Sequence, residues 1–383
     1  MATFMGVANR VYQTRGATYT AYGNGMVYNV PIGGFDQNDL LDSGAVPVIA
    51  VPNANFRNLI DGGDFSVNPW QRNVPGLASS NAIASPISST LTYFADRWGH
   101  SGGASSSITP SKQANTTIAG FSNSLRVQRT AANTDTNAIS TIQVLETADC
   151  YRLQGQTLTL SFWAATTANY SGGALTVRLI SGTGTNQSAA NAIAGSWTGQ
   201  ANVVNTTVTL SAVMTRYQVS GVVPAAATQL AVLLQWTPSG TAGTTDAIDF
   251  MGMQLEIGSV AGPFEFRDVQ VELEICQRYA WITAEPAAAV VVGMGACNST
   301  TAAIIYMATP VQMRSAPTLT VSAGTFHCAP AGAAASGTAA AGSTHTPNAI
   351  TVTVSSITAT TAGFGTPLVG GGGTGYIVAS AEF

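Results

Sequence analysis

Charge is what this sequence has least of. Of its 383 residues only 8% are Asp, Glu, Lys or Arg, against about 25% in ordinary soluble domains. Lys112 is the only lysine, the other basic residues are arginines, and the formal net charge is −4. So few basic groups make no stripe that could follow a phosphate backbone, which excludes a nucleic-acid partner. Histidine is nearly absent too. His100, His327 and His345 lie far apart, with neither a His-Glu-x-x-His pattern nor a Cys-His pairing, so no zinc site is expected. Four cysteines (Cys150, Cys276, Cys297 and Cys328) are too sparse for a disulfide scaffold and are expected as buried thiols. No apolar run approaches the roughly 18 residues of a membrane span. Met1-Ala2-Thr3-Phe4 lacks the positive start and apolar run of a secretory leader. The expectation is synthesis in a cytoplasm without membrane insertion.

What is present argues for a folded, strand-rich chain. Hydrophobic residues make up 45% of the sequence, which removes the combination of low hydrophobicity and high net charge that defines disorder. Alternating segments recur at Ser124–Thr130, Ala138–Leu145, Thr157–Ala164, Leu175–Ile180, Thr206–Leu210, Arg216–Val222, Gln229–Gln235 and Ala247–Ile257. Short strands with turn signals between them predict an all-β chain built on a jelly-roll-like β-sandwich. Within it Ser161–Ala164 and Leu230–Trp236 are the most apolar and are expected at the sheet centres. Gly182–Gly199 reads as a surface loop.

The stretch Ala247 to Trp281 organises the rest. Ile248, Phe250, Met253, Leu255 and Ile257 read as one long strand, and Gly252 interrupts the alternation where a bulge is expected. Gly258, Gly262 and Pro263 turn the chain. From Val269 the period lengthens, with Val269, Leu273, Cys276 and Tyr279 or Ala280 three or four apart, the spacing of an amphipathic helix. Four segments follow: residues 1–52, a sandwich over 53–268, a linking helix over 269–284 and a C-terminal β-sandwich over 285–383. In the first, Thr18–Tyr22 and Met26–Val30 around Gly23-Asn24-Gly25 predict a hairpin, and Asp36–Gly44 a short capped helix. In the last, Ala349–Ile357 and Gly375–Phe383 read as strands, and Ala329–Ser343 and Gly370–Gly373 as loops. From Pro286 onward the only charged residues are Arg314 and Glu382. A lone soluble domain normally keeps a charged surface, so burial against copies of the chain or other proteins is expected.

Three groups of residues carry a resemblance. Asn58-Leu59-Ile60-Asp61-Gly62-Gly63-Asp64-Phe65 with Trp70-Gln71-Arg72, then Tyr93-Phe94-Ala95-Asp96-Arg97-Trp98, form the first. Gln254-Leu255-Glu256-Ile257-Gly258, Pro263-Phe264-Glu265-Phe266-Arg267 and Cys276-Gln277-Arg278-Tyr279 form the second. Ala308–Thr320, holding Met313-Arg314-Ser315-Ala316-Pro317-Thr318, and the closing Gly375–Phe383 form the third. Together, in this order, they resemble tailed-bacteriophage tail-fibre and appendage structural proteins, in which a carbohydrate-binding-module-like β-sandwich precedes a distal β-domain. The resemblance implies a virion protein, most simply a tail fibre. It would be anchored to other virion proteins through residues 1–52, trimeric, and in contact with host surface polysaccharide. Head fibres or capsid decoration proteins share the architecture, and a polysaccharide-degrading tailspike is the remaining alternative.

Candidate site residues follow from the same stretches. Trp70 and Trp98 offer large amphipathic faces beside Arg97, and an aromatic face under a pyranose is a sugar platform. The competing reading makes them core, with Asp64, Asp96, Arg72 and Arg97 as buried pairs, and their place in a framework motif favours it. Tyr170 and Trp197 lie on loops, where binding residues concentrate. Asp64, Asp246 and Asp249 are the candidates for a structural calcium ion. Catalysis is not expected. Gly370–Gly375 lacks the Gly-Lys-Ser/Thr of a phosphate loop, no Gly-x-Ser-x-Gly elbow occurs, and the pairs Asp64 with Asp96 or Asp246 with Asp249 are thin support for glycoside hydrolysis.

Overall fold

The computed structural model describes residues 57–105, 107–284, 291–322, 326–328, 335–341, 344–357, 362, 365–370 and 375–383, with five short strands before residue 57. Two compact units result, Met1–Arg57 and Asn58–Phe383. In the first, β1 (Ala2–Met5) lies between β4 (Met26–Val30) and β5 (Val46–Val48), while β2 (Val11–Gln13) pairs with β3 (Thr18–Thr20). The expected hairpin therefore resolves differently. Both of its strands form, but β3 pairs with β2 and β4 with β1. The expected turn at Gly23–Gly25 and the helix at Asp36–Gly44 lie outside the described residues.

The second unit begins with two facing antiparallel sheets. One has the order β16 (Thr215–Val222), β13 (Thr157–Thr166), β18 (Ala247–Ile257), β11 (Asn123–Arg129), β10 (Ile108–Ala114), β7 (Ala82–Ile83), β6 (Ala78–Ser79). The other runs β15 (Ala201–Val208), β14 (Leu175–Gly182), β17 (Gln229–Trp236), β12 (Ile139–Leu145), β9 (Gly99–Ser101), β8 (Thr92–Tyr93). Alternate residues meet between the sheets: Leu125, Val127, Leu160, Phe162 and Phe250 from one, Val177, Leu179, Val232 and Leu234 from the other, all buried. The chain is all-β in class and sandwich-like here, as its alternation predicts. β13 and β17 are internal in their sheets. β15 starts earlier than the expected Thr206, because Asn202 and Asn205 face outward from a strand whose exposed residues mimic a loop.

Two local features explain long-range shape. At Gly252 the pairing of β13 with β18 slips, Ser161 opposing Gln254 while Trp163 opposes Met251. Gly252 has φ +51°, and a Cβ there would lie 2.7 Å from the Phe121 ring and 2.8 Å from that of Trp163, so only glycine fits the bulge. The second feature corrects an expectation. Ala189–Ala194, inside the stretch read as a loop, is a helix. Ser188 accepts a hydrogen bond from Asn191 N, and Gly195 closes the end in the left-handed region. This helix and Trp197 cover Ile142, Val144, Ile180, Ala231 and Leu233 on the outer face of the second sheet. That second cover is why β17 is apolar on both faces.

Beyond the sandwich, the helix Val269–Gln277 forms where the period change predicts it, with Asp268 as its N-cap. Cys276, Tyr279 and Ala280 are buried as the spacing predicts, but Val269 is exposed and Glu272 is buried in its stead. The helix is also shorter than the expected 269–284, since it stops at Gln277 and Ala280–Ala284 is a strand. The C-terminal part also departs from the expected sandwich. β20 (Val291–Cys297), β21 (Ala302–Ala308), β25 (Ala349–Ser355), β24 (Ala335–Ala341), β23 (Phe326–Cys328) and β26 (Gly365–Gly370) close into a barrel. Ala335–Ala341 is thus a strand, not part of a loop; its small residues obscure the pattern. Small residues let a six-stranded barrel close around Ala303, Ile305, Met307, Val352, Val354 and Leu368. A separate sheet sets β27 (Tyr376–Ser380) between β19 (Ala280–Ala284) and β22 (Thr318–Val321). Cys150, Cys276 and Cys297 are buried free thiols.

Candidate functional site

The residues that carry the resemblance come together in space. Asn58 opens the cluster: its Nδ2 donates to Met253 O at 2.9 Å, its Oδ1 accepts from Leu255 N at 3.0 Å, and its backbone N–H donates to Glu265 Oε2 at 2.7 Å. Glu272 accepts the backbone N–H of Gly62 and faces Arg267 at 3.3 Å. Arg267 in turn donates to the carbonyls of Ile60 and Asn58. Burial raises the Glu272 carboxyl above its usual range, with Arg267 opposing the shift. Gly62 has φ +63°, and a Cβ there would meet the Asp96 carbonyl oxygen at 2.5 Å.

Arg97 is the centre of this cluster. It is 1% exposed, in the left-handed backbone region at φ +71°, a conformation costing a non-glycine residue roughly 1–2 kcal/mol. Its guanidinium lies 3.3 Å over the Tyr279 ring and bonds Glu382 at 2.7 Å, Asp61 at 3.2 Å and the Val144 carbonyl at 2.7 Å. Arg72 contacts Asp96 and Glu382 at 3.5 and 3.6 Å. Asp96, pushed up to about 6 by burial against the pull of Arg72, accepts from the backbone and side chain of Gln71. Arg314 donates to the carbonyls of Ala381 and Glu382 and lies 4.1 Å over Phe383. Arg278 grips Glu146 with two bonds of 2.7 and 2.9 Å. The result is an ionic joint between the sandwich and the strands that lead into and out of the barrel. Arg314 and Glu382, unassigned from sequence, are its C-terminal members.

This arrangement corrects the sugar-platform expectation. Trp70 is buried with its Nε1 donating to Phe65 O, and Trp98 is fully buried with its Nε1 donating to Gly62 O. Arg97 spends its donors inside the joint. Trp197 is buried under the loop, donating to Ser188 O at 2.8 Å. None presents a ring face or a spare donor to a ligand. Tyr170 is half-buried, packs on Trp236 at 5.1 Å and donates to Gly173 O; it meets none of the other four.

The metal candidates are likewise committed. Asp246 and Arg129, both without exposed side-chain surface, pair at 2.9 Å, and Ser171 donates to the same carboxylate. Asp64 accepts from Ser66 N. Asp249 holds Arg126 through two bonds of 2.8 Å. These three acids lie with different partners, and among the described residues no group of three or more His, Cys, Asp or Glu could hold a metal ion.

A concave site lies open on the outward face of the seven-stranded sheet. Ala165, Asp249 and Arg126 stand in register across β13, β18 and β11, while their neighbours Ala164, Phe250 and Leu125 point into the core. Asn115 and Thr117 form one wall, and Ala212 and Met214 the other, around a groove of about 410 Å³. Arg126 is a residue that sequence reasoning missed, although the alternation of β11 already placed it opposite Leu125 and Val127.

No protein-family model matches the sequence, and no curated protein matches it. Among solved structures, the chain is similar to the enzymatically active domain of tailspike protein 4 from Bacteriophage CBA120. The identity is 13% over 54% of this chain and 22% of that one, with a TM-score of 0.30. It is also similar to the CBM22-1 xylan-binding domain of Paenibacillus barcinonensis Xyn10C, at 12% identity over 46% of this chain and 99% of that one, TM-score 0.29. A sugar-binding protein assigned in Bacteroides thetaiotaomicron matches at 13% identity over 52% of this chain and 100% of its own length, TM-score 0.29.

Proposed function

We propose that this chain is a structural protein of a tailed-bacteriophage particle: a tail fibre that attaches through residues 1–52, assembles as a homotrimer and contributes to adhesion at host surface glycans. The observation that carries this reading is the convergence of the three resembling stretches on one buried joint. Motifs separated by more than 200 residues, such as Asn58 with Glu265 and Arg97 with Glu382, bond each other directly. Such a joint makes sandwich and barrel a stiff part, which suits a protein that bears load between particle and host. Charge supports assembly. The two charged residues beyond Pro286 both point into the joint, so the described barrel surface carries no charge, and Met294 and Tyr306 stand exposed on it. Several weak contacts per trimer, and several trimers per particle, then give adhesion by multivalency. The protein acts by binding rather than catalysis, a reading supported by the arginine partners of Asp96, Asp246 and Asp249.

The deciding experiment is density from the intact particle at a resolution that separates strands. Sandwich and barrel found in a tail appendage, in three copies, are expected. The same density on the head would replace the tail-fibre reading by a decoration protein, and absence of the chain from purified particles would overturn the virion reading altogether. Release of reducing ends from host polysaccharide by the purified chain would overturn the non-catalytic assignment.

A further inference from the structure

Every other strongly paired arginine of the sandwich is sealed into the joint or the core; the Arg126–Asp249 pair floors an open groove. Arg126 gives Nε and Nη2 to the two carboxylate oxygens at 2.8 Å each. Its Nη1 hydrogen-bonds no described residue, nor does Asn115 Nδ2 at the wall, where Asn115 Oδ1 accepts from Thr117. Ala165 ends at its Cβ and leaves space above the pair. A volume of about 410 Å³ falls in the range of small-ligand sites, about 300–1,000 Å³.

We propose that this groove binds a neutral sugar unit through two adjacent hydroxyls. The chemistry follows from the floor. A doubly bonded guanidinium–carboxylate pair is planar and nearly neutral as a unit, yet the second N–H of Arg126 Nη2 stands beside the outer lone pair of Asp249 Oδ2, with Nη1 next along the same edge. Adjacent hydroxyls, each both donor and acceptor, match that alternation. An acidic sugar would set its carboxylate against Asp249, and a cationic ligand would meet Arg126. The aliphatic wall of Ala212 and Met214 suits the C–H edge of a pyranose ring. No aromatic side chain lines the groove, so affinity per site is weak and depends on the hydrogen bonds. The proposal rests on the adhesion reading and gives it an address.

The test uses the full chain and saturation-transfer NMR with a panel of neutral methyl hexosides and pentosides, plus methyl glucuronide. At least one neutral glycoside is expected to bind and methyl glucuronide is not. Asp249→Asn and Arg126→Gln each weaken the neutral sugar by about tenfold or more, and Asp249→Asn, which leaves Arg126 unopposed, gains binding of the glucuronide. Ala212→Trp, at the exposed rim, obstructs the groove without disturbing the core and abolishes binding even if the charge variants fold poorly. Failure of every neutral glycoside to bind at millimolar concentration, or binding untouched by Ala212→Trp, overturns the proposal. Particle density is independent of the groove, so an appendage position with an empty groove would sink this site and leave the virion reading standing.

Discussion

Arg97 concentrates what single residues do in this protein. Its guanidinium neutralises Asp61 and Glu382 while stacked on Tyr279. Arg97→Met keeps much of the volume and leaves the buried Glu382 with only its longer contact to Arg72, so a loss of about 3–5 kcal/mol is expected in chemical denaturation. Two other buried groups set opposite pH slopes. Burial pushes His100 down to about 3 from its ordinary 6.5. The unfolded chain therefore takes up a proton that the fold refuses, and stability falls as pH drops through that window. Asp96, raised by burial from 3.8 to about 6, keeps a proton that the unfolded chain gives up, so its contribution grows as pH falls through that interval. Denaturation midpoints from neutral pH to about pH 4 are expected to decline less in His100→Asn than in the wild type. In Asp96→Asn they should decline more. Parallel profiles for all three proteins would refute both assignments.

At the scale of elements, the bulge in β18 and the helix Val269–Gln277 do the positioning. Gly252→Ala places a methyl against Phe121 and Trp163 on a backbone at φ +51°, and a loss of about 1–3 kcal/mol is expected. The urea midpoint reads it, and an unchanged midpoint would mean that β18 tolerates a regular register. The bulge was legible because Gly252 breaks an otherwise clean alternation. The helix was legible in its start and in the burial of Cys276 and Tyr279, but not in its end at Gln277 or in the burial of Glu272. Periodicity rewards apolar positions, so it chose Val269, whereas the chain buries Glu272, whose carboxylate accepts the Gly62 N–H and faces Arg267. No local pattern announces that an acid will find partners two hundred residues away.

For the whole molecule, the joint predicts cooperativity. Residues Asn58–Phe383 form one compact unit, and β19 and β27 pair along their length from Ala280–Ser380 to Ala284–Tyr376. Calorimetry is expected to show this unit melting in one transition. The double variant Arg314→Ala, Glu382→Ala removes the bonds to Arg97, Arg72 and the final carbonyls. It should split the transition, with the barrel melting first and becoming sensitive to protease while the sandwich stays resistant. A single transition in the variant would show that strand pairing alone couples the parts.

Sequence alone determined the strand-rich class, the central strands β13 and β17, the bulge at Gly252 and the helix from Val269, because each is written in local spacing that backbone geometry reads directly. It also marked Trp70, Trp98 and Arg97 as a linked set. Tertiary structure alone decided what that set does. Whether an aromatic ring is a platform or a core depends on what lies over it: Phe65 packs on both Trp rings and Phe94 on Trp70, while Tyr279 and Glu382, from the far end of the chain, close over Arg97. The barrel was hidden for a related reason: Ala, Gly, Ser and Thr give little contrast between inward and outward positions, so closure shows only once the strands are paired.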